Sequence, residues 1–147
     1  MPVLEQVLEQ YPEKVKVVYK NFPLSSHKYA RQAAVAAIAA DRQGKFWEFH
    51  DLLFKNYKQL SDQKIRDISV ILGMDTERFR NDLKDPQIQE IIDQEISEAT
   101  KLGVNSTPTV FINGKRLRDR RLGGFRTLIE KELKKSGNRV SRSDKKQ

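Results

Sequence analysis

Few residues in this 147-residue chain have the chemistry for catalysis or ligation, and their spacing narrows the options further. Cysteine is absent, which excludes a thiolate nucleophile, a disulfide framework, a Cys-ligated zinc site and an iron–sulfur cluster within these residues. The histidines are His27 and His50. His50 has Glu48 and Asp51 close by, but side chains one or two positions apart on a helix do not face each other. The trio is therefore not a ligand set, and no metal is expected. No Gly-rich dinucleotide fingerprint occurs, and no cofactor is expected. His27 follows Ser25-Ser26 and reads as a histidine that orders the loop after Pro23. Ser106-Thr107-Pro108 is the next candidate. An X-Pro bond prefers trans by only about 0.5–1 kcal/mol, so the tripeptide suits either a cis-proline loop or a trans proline opening an edge strand. Lys115, Arg116, Arg118, Arg120 and Arg121 surround Asp119. This cluster reads either as a site for an acidic partner or as a solvated sheet edge whose charges oppose aggregation.

Charge is divided sharply along the chain. Residues 1–113 carry a net charge of −1 and residues 114–147 a net charge of +9. A basic end suits nucleic acid, an anionic membrane surface or a solvated tail, and the lack of aromatic residues after Phe125 favours the tail. With 37% hydrophobic and 33% charged residues, the composition is that of one globular domain. No apolar run approaches the length of a membrane span. Glu5, Glu9 and Glu13 lie on a helical pattern in the first twenty residues, which does not read as a secretory signal. Either the chain is cytoplasmic or an export signal has been removed.

Hydrophobic spacing supplies the elements that must hold these residues. Val3, Leu4, Val7, Leu8 and Tyr11 mark a first helix that ends before Pro12. Val15, Val17, Val18 and Tyr19 read as a buried strand. An alanine-rich helix over about 28–43 closes at Gly44. The next helix, crowded with Phe46, Trp47, Phe49, Leu52, Leu53 and Phe54, reads as core, with a groove for unfolded peptide as the other reading. Ser61 or Asp62, Asp75, and Asp85-Pro86 are cap signals for three more helices, the last stopping at Gly103. Residues 107–112 read as a strand, Asn113-Gly114 as a hairpin turn and Leu117 as part of the return strand. A last helix carries Phe125, Leu128, Ile129 and Leu133, and residues 136–147 read as a disordered basic tail.

Four stretches, in this order, give the chain a family likeness. They are Lys20-Asn21-Phe22-Pro23-Leu24 with His27, the segment 44–54, the segment 102–114 and the closing helix 125–133. Over residues 2–135 the sequence resembles the DsbA-like branch of the thioredoxin superfamily. The resemblance implies an α/β, thioredoxin-like fold with a large helical insertion at about 27–102. It implies thiol–disulfide oxidoreductase relatives that are exported or membrane-tethered. It makes Ser106, Thr107 and Pro108 a cis-proline loop that binds extended or unfolded polypeptide, and sets His27 as support near the active face. In this alignment Met1–Gln6 falls in the middle of the family's first helix. The first strand and the Cys-x-x-Cys would precede Met1, so no catalytic residue is assigned.

Several expectations follow. The chain as given does no thiol–disulfide exchange and reads as an N-terminally truncated form that keeps the peptide-binding loop. A non-redox module that binds peptides or a partner protein is the alternative, and nucleic-acid binding through the basic end is a second. The strand edges at 15–19 and 109–112 are expected to close on each other, recruit a partner strand or pair between chains, with a strand-paired homodimer favoured.

Overall fold

A computed structural model describes residues 2–143, with side chains through residue 136. In chain order the elements are α1 (Pro2–Gln10), α2 (Ala30–Asp41), α3 (Phe46–Lys55), a 3₁₀ turn (Tyr57–Gln59), α4 (Asp62–Ile71), α5 (Thr76–Asp82), α6 (Pro86–Lys101), β1 (Phe111–Ile112), β2 (Lys115–Arg116) and α7 (Leu122–Ser143). They form two compact units. One is Lys20–Asn105; the other combines the segment ending at Tyr19 with the segment beginning at Ser106.

The first unit is helical and is built around α2, which touches α3, α4, α5 and α6. Its alanines explain this placement: Ala36, Ala39 and Ala40 are wholly buried, and their small side chains let four helices approach one. Alanine also has the highest helix propensity. Around α2 lie Phe49, Ile65, Ile68, Phe79, Ile88 and Ile92. Local chemistry sets the helix ends. Ser61 Oγ accepts from the Lys64 N–H at 3.1 Å. Asp75 accepts from Glu77 and Arg78 at 3.1 and 2.9 Å, and Asp85 accepts from Gln87 at 2.9 Å ahead of Pro86. Gly73 and Gly103 follow their helices in the left-handed region at φ 63 and 70, where a side chain would be strained.

The reading of α3 needs correction. Phe49 and Leu53 are buried, but Trp47 is 49% and Phe54 is 61% exposed. A ten-residue helix turns only one stripe toward a core, so it cannot bury aromatic residues all round.

Two polar ties hold this unit. Asn21 is buried, and its backbone N–H and its Nδ2 both donate to Glu95 Oε2, at 2.7 and 2.9 Å. Lys20 reaches Glu98 at 3.1 Å. At the end of α2, Arg42 Nη1 donates to Asp82 Oδ1 at 2.6 Å and to Asp85 Oδ2 at 2.7 Å, joining α2 to the junction of α5 and α6. The Asp85 carboxyl is held below its ordinary value by the Gln87 N–H and then by Arg42. A carboxyl whose folded pKa is depressed adds stability above its unfolded value, about 3.9, and that stability is lost as pH falls through the folded value. Asp85→Asn keeps an acceptor for Gln87 but removes the charge facing Arg42. Its urea midpoint should lie below that of the wild type near pH 7, with the difference closing as pH falls below about 4; equal midpoints at neutral pH would remove Arg42–Asp85 as a stabilising tie.

In the second unit α1 packs on α7, and Val7, Leu117, Phe125 and Ile129 form the core. Among the described residues the sheet has two strands, paired antiparallel with Phe111 opposite Arg116 and Ile112 opposite Lys115. Residues 15–19 form no strand. Their burial still alternates, with Val15 and Val17 half-buried and Lys16 and Val18 exposed, as in an extended chain with one covered face. β-branched residues favour this conformation, but a strand needs a ladder partner. Thus the edges at 15–19 and 109–112 do not close on each other. The strand expected over 107–112 is likewise paired only at Phe111–Ile112, although the Leu117 N–H extends the pairing to the Val110 carbonyl at 2.8 Å. The tail reading is also corrected: α7 continues to Ser143, because lengthening a formed helix escapes the nucleation cost. Residues 144–147 of that expected tail lie outside the described residues.

Candidate functional site

The site is built from the hairpin outward. Asn113 and Gly114 lie at φ 48 and 76, the left-handed pair that a two-residue type I′ turn requires. This turn fixes the register of β1 and β2, and the bond between Leu117 and Val110 carries it one residue further. The chain on either side of the hairpin is then brought together. Residues 106–109 enter β1, and residues 118–121 leave β2.

Ser106, Thr107 and Pro108 are exposed, and the Thr107–Pro108 peptide bond is cis. Two side chains shape the loop. Thr109 Oγ1 donates to the Ser106 carbonyl at 2.7 Å, closing the loop on itself. Arg120 Nη1 donates to the Pro108 carbonyl at 2.6 Å, tying the loop to the segment after the hairpin. Between these two tied carbonyls, the N–H and C=O of Thr107 have no partner among the described residues. An exposed backbone donor and acceptor on one residue can pair with an extended chain, as a sheet edge does.

Some members of the basic cluster meet a carboxylate and others do not. Lys115 is bound by Glu132, which raises the lysine and lowers the glutamate from their ordinary values. Lys135 meets the same carboxylate at 3.3 Å, and the neighbouring Lys115 pushes it down. Arg121 Nε and Nη2 donate to the two Asp119 oxygens at 2.9 and 3.0 Å, holding Asp119 below the usual carboxylate range. Arg118 and Arg120 are exposed and meet no carboxylate among the described residues.

His27 belongs to the helical unit. It is exposed; its N–H donates to Leu24 O at 3.0 Å and its carbonyl accepts from Ala30 at 3.0 Å. These backbone bonds form the turn that leads into α2. His50 lies against Phe46, Trp47 and Phe54, with ring centroids 4.6–5.8 Å apart. Among the described residues no group of three His, Cys, Asp or Glu side chains could hold a metal.

The thioredoxin family model matches residues 2–131. The chain belongs to the thioredoxin family. This thioredoxin-family chain is similar to a "Probable disulfide bond formation protein D" of Bacillus cereus, with 31% identity over 143 residues, 90% of this chain and 66% of that protein. It is 38% identical over 116 residues to a protein named "Na(+)/H(+) antiporter NhaA 3" from Salinispora tropica, covering 78% of this chain and 18% of that protein. Thus it spans about a fifth of the antiporter's length. No helix among the described residues is long and apolar enough to cross a membrane. Among solved structures it is similar to a thioredoxin-like oxidoreductase from Silicibacter pomeroyi DSS-3. The TM-score is 0.78 and the identity 26%, over 91% of this chain and 77% of that one. The fold is accordingly thioredoxin-like, mostly helical, with a small antiparallel sheet.

Reading the basic cluster as a whole hid Arg120. The signal for it was present: counting outward from the Asn113-Gly114 turn sets residue 120 across from the Thr107-Pro108 step.

Proposed function

We propose that this chain is the polypeptide-binding portion of a DsbA-like thiol–disulfide oxidoreductase domain. In this reading Ser106, Thr107 and Pro108 receive the backbone of an extended or unfolded polypeptide. Thiol chemistry is supplied from outside these 147 residues, since the chain has no cysteine. The observation that carries the reading is Thr107, exposed and with neither backbone group paired among the described residues. The relatives named for disulfide bond formation and oxidoreductase activity support the class. The same lack of cysteine favours a second reading, a non-redox module that binds polypeptide through this loop.

Fluorescence anisotropy with a labelled unfolded peptide tests the shared part. Thr107→Ala keeps the backbone donor and should bind as the wild type does. Thr107→Pro removes the N–H and should weaken binding about tenfold or more, with helical circular dichroism unchanged. Equal binding by both variants, or none by the wild type, overturns the assignment of this loop. The mass of the native protein before and after thiol alkylation separates the two readings. A heavier chain that takes up alkyl groups on reduction supports the oxidoreductase, and an unalkylated chain supports the module.

A further inference from the structure

We propose that the Thr107–Pro108 loop selects acidic polypeptide, and that Arg120 reads the carboxylate. The inference rests on the peptide-binding reading and adds the substrate class to it. The guanidinium of Arg120 is fixed beside the loop by its bond to the Pro108 carbonyl at 2.6 Å. A guanidinium carries five N–H donors in a planar fork, and this bond occupies one nitrogen. Its acceptor is a neutral carbonyl, so the positive charge is left in place. The neighbours behave differently: Lys115 is paired with Glu132, a carboxylate it shares with Lys135, and Arg121 with Asp119. Nor does the loop oppose the charge, because Ser106, Thr107, Pro108 and Thr109 are all uncharged. Exposed Arg118, two residues away, adds a second cation without a carboxylate partner among the described residues.

A peptide whose backbone pairs with Thr107 runs past this guanidinium. An Asp or Glu side chain near the paired residue then accepts from the free edge of the fork, and charge-assisted, two-pronged hydrogen bonds of this kind are the strong ones. A lysine or arginine at the same place is repelled. The guanidinium is already held when the peptide arrives, so less side-chain entropy is lost on binding. A phosphate backbone also binds arginine, but the groups on offer here are one backbone donor and one backbone acceptor, which match a polypeptide.

The test uses labelled unfolded peptides of equal length and apolar content that carry acidic, neutral or basic residues at the same positions. Wild type should bind the acidic peptide about tenfold more tightly than the neutral one at low salt, with the preference shrinking as salt rises. Arg120→Gln removes the charge, and the ratio of acidic to neutral peptide affinity should fall to about one. Arg120→Lys should keep part of the preference. If acidic and neutral peptides bind alike, the selectivity is overturned while the peptide-binding reading stands. If no peptide binds, that reading falls and this inference with it. If Arg120→Gln weakens all three peptides equally, Arg120 only positions the loop. Tighter binding of single-stranded oligonucleotide than of the acidic peptide would overturn the substrate class.

Discussion

Gly124→Ala destabilises the protein, whereas Gly123→Ala leaves it unchanged or stabilises it. Both glycines lie in the first turn of α7, and alanine is the better helix former by about 1 kcal/mol at an interior position. The difference lies in what a methyl group meets. A Cβ on Gly123 has nothing within 4 Å. A Cβ on Gly124 would collide with the Asp119 carbonyl oxygen and come within 2.7 Å of Asp119 Cβ and 2.9 Å of its carbonyl carbon. Backbone atoms cannot rotate away as a side-chain tip can, so the 119–121 segment must move. Overpacking of this kind costs about 1–3 kcal/mol, more than the helix gains. Arg120 sits on the displaced segment, so its hold on Pro108 should loosen as well. Urea midpoints of the two variants check the first effect, and the acidic-peptide preference of Gly124→Ala checks the second. A Gly124→Ala protein as stable as Gly123→Ala would show that Asp119 does not pack there.

Phe49→Ala should have the largest effect on stability, a loss of about 3–5 kcal/mol. Phe49 has no exposed surface, and its ring lies 5.4 Å from that of Phe79, so truncation opens a cavity between α3 and α5. A domain has only about 5–15 kcal/mol in total, and the variant should be partly unfolded at moderate temperature. Phe54→Ala is the control. It makes the same substitution five residues later in the same helix, off the buried stripe, at a residue 61% exposed, and should change stability by no more than about 0.5 kcal/mol. Denaturant curves for the pair decide it. Equal losses would mean that the aromatic face of α3 is buried as a whole.

The features legible in the sequence were those fixed by neighbours in sequence. Ser61, Asp75 and Asp85 cap their helices because a short polar side chain reaches an N–H two or three residues on. Asn113-Gly114 turns the hairpin because those two residues tolerate the left-handed region. The order of four short motifs pointed to the thioredoxin fold, and the family match bears that out. What failed depended on partners distant in sequence. Val15, Val17 and Val18 have the composition of a strand, yet among the described residues no strand pairs with them. Trp47 and Phe54 look like core until the single buried stripe of α3 is known. In the loop site, Arg120 resembles its basic neighbours in sequence; only the acceptor it reaches sets it apart.

The second unit is discontinuous in the chain, and this bears on how the protein assembles. The helical unit consists of contiguous residues with many contacts at short separation, the condition for fast folding. Packing α1 on α7 instead requires residues before 20 to meet residues after 105. The loop between them must close before any of their contacts is gained. The entropy of closure grows only slowly with length, so a collapsed helical unit shortens the search more than it changes the final stability. During synthesis α1 emerges before the helical unit and waits, with Val3, Leu4 and Val7 uncovered, until Phe125 and Ile129 have been made. Early collapse of Lys20–Asn105 therefore limits how long that apolar stripe stays available to other nascent chains.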